Sequence, residues 1–139
     1  MCTAEDVRRI ALALPQAHED VHRHRPAFRV GTRIFAMLGV TGNAALFPGL
    51  GQTDVAVVKL EREDQLNMAT AHQGAVEPTE SYGHHGWTYL RLERLDEPAL
   101  ALILRLAWSH VAPKRLIRAH GAQDGHPGLG GPAGFGGDQ

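Results

Sequence analysis

The stretch from Asp96 to Ala112 constrains the fold most. Asp96 precedes Glu97-Pro98, and aspartate caps free helical amides while proline is tolerated in the first turn, so a helix is predicted to run to about Ala112. Its main apolar stripe is Leu100, Ile103, Leu104, Ala107 and Val111, and Leu102, Leu106 and Trp108 widen it beyond one face. Such a helix is either deeply buried or uses its second face in a dimer. It is not a membrane span: the most apolar run, 99–107, is broken by Arg105 and falls short of the roughly 20 residues a span requires.

The glycines set the limits of the folded body. Eight of the 16 lie in the last 19 residues, with Pro127 and Pro132 among them, which predicts one domain over 1–120 and a flexible tail over 121–139. The whole chain carries 14 Lys plus Arg against 15 Asp plus Glu, and the predicted tail takes Asp124 and Asp138 with it, leaving the body slightly basic. No global field marks a polyanion binder, although nine histidines make the charge depend on pH. The single cysteine, Cys2, excludes an internal disulfide and lies where termini usually fray. Glu5 and Asp6 precede Arg8 and Arg9 with no apolar leader stretch, so the cytoplasm is the expected location.

Before the long helix the periodicity alternates between classes. Val7, Ile10, Ala11 and Leu14 share one helical face, with Thr3 as N-cap and Pro15 as terminator. The segments 27–30 and 33–38 flank Gly31-Thr32, a glycine-first pair suited to a type II′ hairpin. Strands are also predicted over 44–47, 54–60 and 87–92, and a short helix over 61–71 with Leu66, Ala69 and Met68 inward. Residues 74–86 are predicted to be largely loop. These elements make an α+β chain of three helices and about five strands, two of them an antiparallel pair.

Several strings, in this order and spacing, resemble the MmcQ/YjbR family of small bacterial proteins. They are Ala13-Leu14-Pro15 with Glu19, Arg25-Pro26-Ala27-Phe28-Arg29-Val30, Ile34-Phe35-Ala36, Lys59-Leu60, Gly86-Trp87-Thr88, and Ala107-Trp108 with Val111-Ala112-Pro113-Lys114-Arg115-Leu116. The resemblance implies a YjbR-like α+β domain, an antiparallel sheet of about five strands packed against N- and C-terminal helices in a frataxin/CyaY-like architecture, and DNA binding. The chain departs from the pattern at Gly31-Thr32-Arg33, where the family often has Gly-Lys, and in the glycine-rich tail.

Strand alternation sorts the candidate contacts by face. With Ala56, Val58 and Leu60 inward, Val55, Val57 and Lys59 point away, as do Trp87, Tyr89 and Arg91. Pairing Phe28 with Phe35 on the core side sets Arg29 opposite Ile34 on the other. Arg29, Lys59, Trp87, Tyr89 and Arg91 are thereby predicted to share a face on which cations meet phosphates and rings stack bases. Arg33 joins them at the hairpin. Lys114 and Arg115, expected with Arg118 to close the last helix, would contact phosphate or complement the helix dipole. The competing reading is that Trp87 and Tyr89, or Leu102 and Leu106, form a homodimer or small-ligand surface without nucleic acid.

Other chemistries find less support. His18-Glu19-Asp20-Val21-His22 matches the zinc-protease pattern in form, but Pro15 and Pro26 leave no room for its long helix. Adventitious metal binding by His18, His22 and His24 is what remains of it. His84-His85 reads as a solvated pair, and Gly49-Leu50-Gly51 lacks the third glycine of a dinucleotide loop. Ser109 and His110 sit on the core helix. Iron delivery is disfavoured because Arg8 and Arg9 dilute the acids of the first helix. The expectation is a non-enzymatic protein without a cofactor or membrane partner, binding DNA, single-stranded or non-specific, weakly and with little sequence preference.

Overall fold

The computed structural model describes residues 1–22, 25–39, 55–79 and 82–123. The chain order is α1 (Ala4–Ala13), β1 (Ala17–His22), β2 (Arg25–Val30), β3 (Arg33–Leu38), β4 (Val55–Lys59), α2 (Arg62–Ala71), β5 (Val76–Pro78), β6 (Trp87–Arg91), α3 (Glu97–Val111) and α4 (Lys114–Gln123). The six strands form one antiparallel sheet in the order β1-β2-β3-β4-β6-β5. The architecture is the expected α+β class with a different strand count. β1 and β5 are additional, while the strand expected over 44–47 lies outside the described residues.

Local chemistry accounts for the helices. Thr3 and Asp6 close a reciprocal capping box on α1, the Thr3 amide donating to Asp6 Oδ2 at 2.9 Å. That hydrogen bond, helped by Arg9, holds the Asp6 carboxyl below the ordinary aspartate range. Asp96 caps α3 by accepting from the Ala99 amide at 2.9 Å. In α2 Gln65 is fully buried and Leu66 is exposed, which corrects the inward placing of Leu66, while Met68 and Ala69 pack against the core as expected. Cys2 does not fray: it is buried, and its amide donates to Leu92 O at 3.0 Å.

The helices cover one face of the sheet. Val7, Ala11 and Leu14 of α1 join Leu100, Ile103, Leu104, Ala107, Trp108 and Val111 of α3 over Phe28, Phe35, Ala36, Val58 and Leu90. Trp108 also donates from Nε1 to Pro15 O at 3.0 Å, tying α3 to the turn where Gln16 takes φ +58°. α3 is thus buried along its predicted stripe, whereas Leu102 remains 45% exposed and Leu106 half-buried. The last helix is not continuous: α3 ends at Val111, and Pro113 separates it from α4, to whose first turn Lys114 and Arg115 belong.

The β2–β3 hairpin turns at Gly31, which takes φ +63°. Arg29 stands opposite Ile34 as predicted, but Phe28 pairs with Ala36 rather than Phe35 because a bulge lies beside Arg29. The extra residue lets both Phe28 and Phe35 enter the core.

Candidate nucleic-acid interface

The second sheet face collects the predicted residues but uses most of them internally. Alternation in β2, β4 and β6 puts Arg29, Lys59, Trp87, Tyr89 and Arg91 together, with Lys59 opposite Trp87 and Val55 opposite Arg91. Arg29 Nε donates to both Asp20 oxygens at 2.8 and 3.0 Å and Nη1 to Thr32 O at 2.7 Å. Arg91 Nη2 donates to Glu77 at 2.7 Å. Tyr89 is only 6% exposed, packed with the fully buried Val55 and Val57. In the middle of this face two of the expected cations are paired with carboxylates and one of the expected rings is covered.

Four cations without an ion pair among the described residues, Arg33, Lys59, Lys114 and Arg115, lie toward one end of the sheet, while Arg94, whose Nη1 donates to Gly74 O, follows β6 at the other. The β3–β4 ladder pairs Ala36 with Val58, so its continuation brings the hairpin residues Arg33 and Ile34 level with Glu61 and Leu60. Lys59 and Trp87 are paired at that same end, with the Lys59 ammonium 5.3 Å from the Trp87 ring centroid. α3 also finishes there, since His110 Nδ1 lies 3.0 Å from Glu61 Oε1, and α4 begins immediately after. Arg33, Lys114 and Arg115 are exposed and make no ion pair among the described residues. Lys114 and Arg115 open a helix rather than close one, so the dipole there opposes them.

Acidic groups limit this field. Glu61, Glu63 and Asp64 share the start of α2, and burial, then repulsion from Glu61 and Glu63, pushes the Asp64 carboxyl above the ordinary aspartate range, with His110 offsetting part of the effect. The end of the sheet is basic on balance rather than uniformly so.

A turn before β6 sets Tyr82 beside the solvent-exposed pair His84-His85. Tyr82 is 61% exposed, and after it comes a single 3-10 turn, Gly83–His85, with His84 and His85 also exposed. The His84 and His85 ring centroids are 4.0 Å apart, and Tyr82 and His85 lie 6.4 Å apart at an interplanar angle of 29°. The signal available in the sequence was Gly83 and Gly86 bracketing two histidines. Gly86 takes φ +99°, and a Cβ there would stand 2.0 Å from Leu60 O.

The histidines of the zinc-like string are separated. Residues 18–22 are strand β1, so His18 and His22 are about 13 Å apart along the chain at the strand rise of ~3.3 Å per residue. Glu19 points to the helix side and accepts from Arg8 Nε and Nη2 at 2.9 and 3.1 Å. It is a tether between β1 and α1, not a base. His24 lies outside the described residues, among which no group of three or more His, Cys, Asp or Glu could hold a metal ion. No described helix is long and apolar enough to cross a membrane.

A model of the YjbR family matches residues 12–110, and the chain belongs to that family. Among solved structures, the Deinococcus radiodurans protein DR2400, a DUF419 domain, is similar at 20% identity and a TM-score of 0.63, over 99% of this chain and 97% of that one. At that identity the likeness concerns the fold. No curated protein matches.

Proposed function

We propose that this YjbR domain is a non-enzymatic nucleic-acid-binding protein that contacts the phosphate backbone with the hairpin end of its sheet. The observation that carries this is the sorting of the cations: Arg29 and Arg91 are paired with carboxylates. Arg33, Lys114 and Arg115 project at one end without such partners among the described residues. Lys59 stands over Trp87 at the same end of the sheet. Phosphate contacts of this kind position a nucleic acid without reading its sequence, so binding is weak, salt-sensitive and largely sequence-independent.

The test is fluorescence anisotropy of labelled DNA with the full chain between about 50 and about 200 mM salt, where phosphate contacts declare themselves. Affinity should fall steeply with salt, and Lys114→Glu combined with Arg115→Glu should weaken it at least fivefold. Equal affinity in wild type and double variant would remove the reading. A second reading has its own observation, the 45% exposure of Leu102 one turn before half-buried Leu106. On that reading α3 pairs with a second copy, and Leu102→Glu would convert a dimer to monomer in sedimentation.

A further inference from the structure

Gln65 is fully buried, and its carboxamide is spent on one task. The two Nε2 hydrogens are shared among Gly83 O at 3.0 Å, Trp87 O at 3.2 Å and Thr88 Oγ1 at 2.9 Å. Its Oε1 accepts from Arg62 Nη1, which also reaches Gly83 O at 3.3 Å. Thr88 Oγ1 donates in turn to Gly86 O at 2.9 Å, and Leu60 N donates to the same carbonyl at 2.9 Å. At Gly83 a Cβ would meet the Pro78 side chain at 2.8 Å, so this turn is packed down on both flanks.

A buried polar network of this density fixes the backbone of 83–88. What it holds outward is not core: Tyr82, His84 and His85 are exposed, and Trp87 is half-buried beside Lys59. Flat rings on a fixed turn, at the end of the sheet where Lys59 stands over Trp87, are the parts that unpaired bases require. A base in a duplex has both faces stacked on its neighbours and cannot offer one to a side chain.

We infer that Tyr82 and His85, held by the Gln65 network beside Trp87, stack unpaired bases, so that the nucleic acid taken at this end is single-stranded. The inference rests on the phosphate-binding reading above and adds the ligand class to it. Gln65 is a positioning residue, and Tyr82 and His85 are the contacts.

The experiment compares a labelled oligothymidine of about 12 residues, within the span of single-strand sites, with a hairpin duplex of equal phosphate number, using the full chain. Wild type should prefer the single strand. Tyr82→Ala with His85→Ala should lose about fivefold or more for oligothymidine, the loss of at least one stacked base. Duplex affinity should stay within twofold, and Tyr82→Phe, which keeps the ring, should bind oligothymidine like wild type. Both Ala substitutions are at exposed positions, and an unchanged circular dichroism melt confirms the fold. If both ligands bind equally, or if the double variant keeps its oligothymidine affinity while Lys114→Glu with Arg115→Glu loses it, base stacking is overturned and phosphate binding stands. If neither ligand binds, both readings fall.

Discussion

Gly86 and Gln65 show how individual residues decide the geometry of the hairpin end. Alanine at Gly86 would need φ +99° and would press its Cβ against Leu60 O at 2.0 Å. Strained backbone of this sort costs about 1–3 kcal/mol before the clash is counted. Gly86→Ala should therefore lower stability by about 3 kcal/mol or more in urea unfolding. Replacing Gln65 with leucine keeps volume but takes one of several donors from Gly83 O and Trp87 O, which keep the Gly86 and Thr79 amides, and removes the partner of Arg62 and Thr88 Oγ1, which predicts a loss of about 1 kcal/mol. Asp64 acts in the opposite sense. Its folded-state proton affinity is raised by burial, so ionising it costs more in the folded than in the unfolded chain. That penalty is absent below the ordinary aspartate range and appears as pH rises through the raised value. Asp64→Asn should be more stable than wild type at pH 7 and equal to it in strong acid, as thermal melts across pH would record.

At the scale of elements, α4 sets structure against function. Lys114 and Arg115 occupy the first turn, where the helix dipole disfavours cations. Reversing them to glutamate should raise the melting temperature slightly, by about 0.5 kcal/mol in stability, while nucleic-acid affinity falls. A structural role for these cations would move both quantities down together. Helices α1 and α3 were legible in sequence because capping and periodicity are local, with Thr3, Asp96, Pro15 and the stripe of α3 standing where expected, whereas α4 was not. β1 was not, because Ala17–His22 carries four polar side chains and owes its strand state to pairing with β2 and to the Arg8–Glu19 bridge. β5 is three residues long and depends on β6. The sheet-face residues were sorted correctly, since alternation is also local. Their pairing with Asp20 and Glu77, and the covering of Tyr89, arise from neighbours distant in sequence.

For the whole molecule, the fold separates a helix-covered core from a polar end assembled by four connections. The β2–β3 turn brings Arg33, the end of β4 brings Lys59, the turn before β6 brings the rings, and the α3–α4 junction brings Lys114 and Arg115. None of these groups contributes to the main core, so they can vary without unfolding the domain, and their joint position is the argument for a binding site. A titration of isotopically labelled full-length protein with oligothymidine, followed by amide chemical shifts, tests that claim most directly. Shifts should concentrate in 31–33, 59–62, 82–88 and 113–116, and vanish as salt is raised. Shifts centred on α1, on the exposed face of α3 around Leu102 or on the β1 edge, or no shifts at all, would contradict it.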